Sequence, residues 1–168
     1  MKIFLLGLPG SGKTTLGKEL SVVLGLDFVD LDLEIERAAG KKITEIFSER
    51  GENYFRELES NELKKWCTSP SGFVMATGGG TPCFLDNLER INQSGKSVFL
   101  DVPAEVIAGR IHGAELSDRP LLASLPPDEL KEKIQMLRSD RMIFYERAHF
   151  VVSGEAITSA ELIRKIKG

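Results

Sequence analysis

Short apolar runs alternate along this chain with longer stretches in which apolar residues recur every three or four positions. The runs fall at 2–6, 27–30, 73–77, 97–102 and 149–153. They lack a clean in-and-out alternation, which predicts strands buried on both faces. The periodic stretches predict helices at about 13–24, 31–39, 43–50, 53–68, 84–94, 103–112, 127–147 and 158–167. Strands alternating with helices imply crossover connections. The pattern therefore predicts an α/β fold, a three-layer αβα sandwich around a five-stranded parallel sheet. Three stretches break the rhythm: the paired helical patterns within 43–68, the run Gly78-Gly79-Gly80, and the segment from His112 to Pro127, with three prolines and little apolar periodicity. Ligands of such sheets gather beyond the carboxyl ends of the strands. Gly7, Asp30, Asp32 and Gly78 all follow predicted strand ends, so they can share one cleft.

Bulk properties narrow the class without choosing within it. A chain of 168 residues fits a single domain spanning 1–168 and can bury a substantial core. With 42% hydrophobic and 28% charged residues it has an ordinary globular composition. The net charge is −3 and no basic block runs along the chain, which argues against a nucleic-acid or anionic-membrane partner. No apolar run approaches a membrane span and nothing resembles a signal peptide. Cys67 and Cys83 have no metal-ligand or CxxC spacing and read as reduced thiols, so a cytoplasmic protein is expected, acting as a monomer. Trp66 and the phenylalanines read as core, His112 as a lid-edge residue and His149 as a strand residue.

The most specific signal follows the first apolar run. Gly7-Leu8-Pro9-Gly10-Ser11-Gly12-Lys13-Thr14-Thr15 matches GxxxxGK[ST] between a predicted strand and a predicted helix. The glycines let the backbone turn tightly and turn its N–H groups onto a polyphosphate. The helix start adds partial positive charge, Lys13 can reach the β- and γ-phosphates, and the Thr14 hydroxyl can ligate Mg²⁺. A glycine-rich turn with a surface lysine would need none of the flanking pattern. Gly10, Ser11, Gly12, Lys13, Thr14 and Thr15 are therefore candidate ATP-binding residues. Asp30-Leu31-Asp32 leaves the second strand as a pair of carboxylates. One reading is a helix N-cap, which needs only one of them. The other gives one carboxylate to a Mg²⁺ shell and the second to a substrate hydroxyl.

Downstream segments bring in a resemblance. Phe28-Val29-Asp30-Leu31-Asp32-Leu33-Glu34-Ile35-Glu36 resembles the FxDxDxxIE segment of shikimate kinases. Ile46-Phe47 with Gly51-Glu52-Asn53-Tyr54-Phe55-Arg56-Glu57-Leu58-Glu59 resembles their IF…GExxFRxxE stretch. Ala76-Thr77-Gly78-Gly79-Gly80 is similar to their xTGGG motif, Arg119-Pro120-Leu121-Leu122 to their RPLL lid, and Arg141 with Tyr145 to their RxxxY element. The motifs occur in the family's order and cover nearly the whole chain.

The resemblance implies a P-loop kinase fold with a helical substrate-binding insertion at about 31–62 and a lid at about 112–127. It implies ATP-dependent, Mg²⁺-assisted phosphorylation of the 3-hydroxyl of shikimate in aromatic amino acid biosynthesis. Asp30 and Thr14 would then hold the metal, with Thr77 contacting it through water. Asp32 would contact shikimate hydroxyls, Arg56 and Arg141 its carboxylate, and Gly78, Gly79 and Gly80 would line the acceptor site. Arg119 would close over the transferring phosphate, and Arg110 would lie beside the adenine. Lys13, Asp32 and Arg119 form the implied catalytic set. Alternatives remain in the residues themselves. Arg56 could be a helix-surface partner of Glu52, Glu59 or Ser60, Arg138 could replace Arg141, and Arg110 could be a solvated helix charge. The chain departs from the family where Arg141-Met142-Ile143-Phe144-Tyr145 lacks the usual proline and where Ser153-Gly154-Glu155 lacks a basic residue near the adenine. The phosphate loop also resembles that of adenylate kinases, so another small-molecule or nucleoside monophosphate kinase, or a nucleotide-dependent switch, is the competing expectation.

Overall fold

The computed structural model describes residues 1–112, 122 and 124–168. Five strands, β1 (Lys2–Leu6), β2 (Asp27–Asp30), β3 (Phe73–Ala76), β4 (Lys96–Asp101) and β5 (Phe150–Ser153), form one sheet in the order β2-β3-β1-β4-β5. Every pairing is parallel. Among the described residues the helices are α1 (Lys13–Leu24), α2 (Leu31–Ala39), α3 (Ile43–Thr68), α4 (Asn87–Ser94), α5 (Ala104–His112), α6 (Pro127–Tyr145) and α7 (Ser159–Lys167).

Alternate residues of the central strands feed two cores. Ile3 and Leu5 of β1, Val74 and Val98 pack with Leu16 and Leu20 of α1 and with Leu162 and Ile166 of α7. Phe4 and Leu6, Phe73, Met75 and Phe99 face the opposite way, onto α2 to α6. A strand flanked on both faces must be apolar at successive positions, which is why β1, β3 and β4 read as continuous runs. The expected three-layer αβα arrangement is the observed one.

Register places the site. Leu5 stands opposite both Ala76 of β3 and Val98 of β4, and Asp30 stands opposite Ala76. Strands β1, β2 and β3 therefore end level, and the chain leaves each at the same edge of the sheet. β1 lies between β3 and β4, where successive crossovers go to opposite sides. Such a switch point opens a crevice at the carboxyl ends.

One boundary differs from the sequence expectation, and the expected break within 43–68 is present. The helix expected at 84–94 starts only at Asn87, after a short 3₁₀ turn at Thr81–Cys83 and two residues, Leu85 and Asp86, at φ 50° and 56°. The apolar Phe84 and Leu85 suggested a helix face, yet both stand outside the helix and are partly exposed. The paired helices at 43–68 form one continuous span broken at Gly51, whose φ of 81° and ψ of 177° are not helical.

Candidate active site

The nucleotide half of the site is built by the β1–α1 connection. Gly7, Gly10 and Gly12 take φ of 146°, 84° and 95°, values that side chains with a Cβ rarely adopt. The last of them is the N-cap of α1 and offers no side chain. The first-turn N–H groups of α1 thus face the cleft without a competing cap, as an anion site requires. Lys13 is buried and its Nζ donates to the carbonyls of Gly7 (2.8 Å) and Leu8 (2.9 Å), which curls the loop around the ammonium. The Ser11 hydroxyl is buried and has no hydrogen-bond partner among the described residues. A cleft of about 630 Å³ opens here, lined by Pro9 to Leu16, Asp30, Asp32, Thr77 to Gly79, Arg110, Ile157 and Thr158 among others.

Asp30 does two things at once. Its Oδ1 accepts from the backbone N–H groups of Asp32 (3.1 Å) and Leu33 (3.4 Å), capping α2. Its Oδ2 accepts from the Thr14 hydroxyl at 3.3 Å. The cap and the metal-ligand readings therefore use different oxygens of one carboxylate and are compatible. Two hard oxygen donors beside the phosphate loop suit Mg²⁺, which takes few protein ligands and fills its shell with water and phosphate oxygens. The described residues contain no cluster of three or more His, Cys, Asp or Glu able to hold a metal ion. The Thr77 hydroxyl, buried on the same cleft wall, donates to the Leu5 carbonyl at 3.0 Å.

The second half of the site lies around the triple glycine. None of Gly78, Gly79 and Gly80 has positive φ, so the turn itself does not require them. Crowding does. A Cβ at Gly78 would sit 3.0 Å from Glu59 Oε2 and 3.1 Å from Asp32 Oδ1. At Gly79 it would lie 2.8 Å from Arg141 Nη1 and 2.9 Å from Pro9 Cδ, and at Gly80 only 2.5 Å from Arg56 Nη2. Each missing side chain is replaced by a charged group arriving from α2, α3 or α6. The three glycines form the floor on which Asp32, Arg56 and Arg141 meet.

Arg56 is held tightly. Its Nη1 pairs with Glu59 at 2.8 Å, and its Nε and Nη2 reach Glu52 at 3.4 and 3.3 Å. Glu59 is fully buried and also accepts from the Thr81 hydroxyl at 2.7 Å. The expected alternative of an ion pair with Glu52 and Glu59 is thus present, but Arg56 is only 9% exposed, so it is no surface residue. A buried carboxylate needs such partners, because losing one would leave an uncompensated charge. Arg141 Nη1 is buried with no hydrogen-bond partner among the described residues. Arg138 pairs with Asp101 at the end of β4 (2.8 Å), away from the glycines. The Tyr145 hydroxyl donates to the Gly79 carbonyl at 2.6 Å, and its ring stacks on Phe99. Burial pushes the Tyr145 phenol above its usual range, and pushes the Cys83 thiol up to about 11 despite the nearby Arg141 and Arg56 cations.

Arg110 is exposed, yet its guanidinium is engaged: Nη1 donates to the Gly10 carbonyl (3.1 Å) and Nη2 to the Glu155 carbonyl (2.8 Å). It ties the phosphate loop to the segment after β5, which makes it more than a solvated charge. Arg119 and most of the expected lid, 113–121 and 123, lie outside the described residues.

Sequence reasoning missed Glu59 as a site residue, although it closes the quoted GExxFRxxE stretch. It also assigned all phenylalanines to the core. Phe47 and Phe84 are 36% and 37% exposed, and Phe84 lies against Arg56 with 4.2 Å between guanidinium carbon and ring centroid. No pattern in the sequence distinguished it.

A parallel sheet with a phosphate loop on its central strand, and a recess lined by arginines and carboxylates one strand away, defines the class as a P-loop phosphotransferase. The comparisons narrow the class. A family model described as shikimate kinase matches residues 9–167. The shikimate kinase of Bacteroides fragilis is 41% identical over 173 residues, covering 99% of this chain and 96% of that protein. The crystal structure of shikimate kinase from Bacteroides thetaiotaomicron, 41% identical, superposes with a TM-score of 0.88 over 94% of this chain and 88% of that one. Shikimate kinase from Acinetobacter baumannii in complex with shikimate, 34% identical, gives 0.85 over 97% and 88%. The chain belongs to the shikimate kinase family.

Proposed function

We propose that this protein transfers the γ-phosphoryl group of ATP to the 3-hydroxyl of shikimate, giving 3-phosphoshikimate and ADP for aromatic amino acid biosynthesis. The observation that carries the reading is the recess over Gly78–Gly80, where the guanidinium groups of Arg56 and Arg141 meet the carboxylates of Asp32 and Glu59 beside the phosphate loop, Glu59 being taken up by Arg56 and the Thr81 hydroxyl. An acceptor with a carboxylate at one end and hydroxyls at the other matches that charge pattern. Arg56 and Arg141 bind the acid, guanidinium forks being well suited to a planar carboxylate. Asp32 orients the reacting hydroxyl and can take its proton as the oxygen attacks the γ-phosphorus and the bond to ADP breaks.

On the donor side, residues Gly10 to Thr15 hold the phosphates through loop N–H groups, the Lys13 ammonium and the start of α1. Thr14 and Asp30 would hold Mg²⁺, which would supply charge neutralisation at the phosphates. Arg110 is assigned to the adenine side, with Ile157 and Thr158, which line the same cleft, beside it. Arg119 is assigned to the developing charge of the transfer. Segment 31–62 serves as the acceptor-binding insertion of a single domain. Among the described residues no helix is long and apolar enough to cross a membrane. With Cys67 and Cys83 both free thiols, the reading puts the enzyme in the cytoplasm. The reading takes the enzyme to act as a monomer.

A panel of acceptors offered with Mg²⁺ and ATP tests the assignment. Shikimate is expected to yield ADP and a phosphorylated acid, whereas AMP yields no product. Faster turnover of AMP or gluconate than of shikimate would overturn it.

A further inference from the structure

Phe84 occupies an unusual place for an aromatic side chain. It follows the 3₁₀ turn after the triple glycine, keeps 37% of its surface exposed, and spreads its ring over the Arg56 guanidinium at 4.2 Å. The two residues behind it, Leu85 and Asp86, both adopt left-handed backbone conformations, which non-glycine residues seldom do and almost never in succession. Strain of this kind persists only where the surroundings over-determine it. Here Asn87, fully buried, supplies the restraint: its backbone N–H donates to the Phe84 carbonyl at 3.0 Å and its Nδ2 to the Thr81 carbonyl at 3.0 Å. Its Oδ1 accepts from Ser60 on α3 at 2.9 Å, tying the turn to the helix that carries Arg56. The strained turn does not serve the burial of Leu85, which is 53% exposed. What the turn achieves is the direction of Phe84.

Glu59 and Glu52 fix the edges of the Arg56 guanidinium and the Phe55 ring centroid lies 5.2 Å from its carbon, which leaves tilt of the plane about the line between the two carboxylates as its remaining freedom. A ring on the flat face removes that freedom, and a cation over an aromatic face is itself attractive. We infer that Phe84 is a positioning residue for the acceptor: it stacks on Arg56 and fixes the guanidinium plane in the orientation that receives the substrate carboxylate. The inference rests on the proposed role of Arg56 as a carboxylate ligand. Preorganising that group lowers the entropy lost on binding, so the effect falls on shikimate affinity and leaves ATP affinity and the chemical step alone.

The test is a double-mutant cycle on the full chain, read by shikimate KM, kcat and calorimetric shikimate binding, with ATP KM as control. Arg56→Ala is expected to raise shikimate KM strongly; if it does not, the acceptor reading itself fails. Given that rise, Phe84→Leu is expected to raise shikimate KM about fivefold to tenfold with kcat and ATP KM within about twofold, the size of one cation–π contact. Phe84→Tyr, which keeps the aromatic face, should restore the parental KM. In the Arg56→Ala background Phe84→Leu should add nothing. Phe84→Met provides a second non-aromatic variant, and the thermal midpoint reports folding for all of them. An unchanged KM in both Phe84→Leu and Phe84→Met would overturn the inference, as would full additivity with Arg56→Ala or equal effects of Leu and Tyr.

Discussion

Gly80 sits at φ −89° and ψ −9°, a conformation open to any residue, and yet a methyl group there would meet three atoms of the Arg56 guanidinium within 2.9 Å. The guanidinium has little room to retreat, since Glu59, Glu52 and Phe84 hold its edges and one face. Gly80→Ala is therefore expected to act through Arg56 rather than on the backbone. Shikimate Kd should rise tenfold or more, equivalent to at least about 1.4 kcal/mol, and the unfolding midpoint in urea should also fall, because the methyl group crowds the buried Arg56–Glu59 pair. Calorimetric titration and urea unfolding read the two effects, and a normal Kd would mean that Arg56 can move aside at no cost. The same residues show how far a sequence speaks at this scale. The type and order of Asp32, Arg56 and Arg141 suggested an acidic acceptor through family resemblance. That Gly80 must be glycine because Arg56 fills the space of its side chain depends on α3 lying against the turn, which no local pattern encodes. Glu59 escaped for the same reason: on a helix its spacing from Arg56 fits a surface ion pair as well as a buried one.

Helix α3 must satisfy two surfaces, α2 on one side and the glycine floor on the other, and its break at Gly51 lets it do so. Residues 43–50 pack Ile46 into the core and Phe47 against Phe55, and residues after the break turn Arg56 and Glu59 toward the site. At φ 81° and ψ 177°, Gly51 occupies a region essentially closed to other residues. No atom lies within 4 Å of an added Cβ, so substitution is opposed by the backbone alone. Gly51→Ala is expected to lower unfolding free energy by ~1–3 kcal/mol with an unchanged denaturant slope. A midpoint equal to that of the parent would show that the helix can straighten through this position without loss. This break was legible, because two periodic stretches with a glycine between them are visible in the sequence. The turn at 81–86 was not. Apolar Phe84 and Leu85 mimic a helix face, and only tertiary restraint by Asn87 diverts the chain into its left-handed course.

At the scale of the whole molecule, the strands and their parallel sense followed from the burial pattern, whereas the order β2-β3-β1-β4-β5 did not. Apolar runs state that a strand is covered on both faces, and they carry no label for the neighbour it pairs with. The finished packing also hides groups whose ionisation the sequence leaves at ordinary values. Burial raises the Cys67 thiol, raises the Cys83 thiol from 9.0 to about 11, and raises the Tyr145 phenol. In each case the low-dielectric interior disfavours the anion. The unfolded chain gives up these protons at lower pH than the folded one, so between about pH 9 and 11 the native state binds more protons. Their contribution to stability is complete below pH 9 and declines as pH rises toward 11, at up to about 1.4 kcal/mol per unit for each group. The thermal midpoint should accordingly be flat near neutrality and fall through this alkaline range. Cys83→Ala removes one titrating thiol, so whatever its effect at pH 7, its midpoint should fall less steeply than that of the parent between pH 9 and 11. Parallel pH profiles for the two proteins would show that the buried thiol does not couple to unfolding.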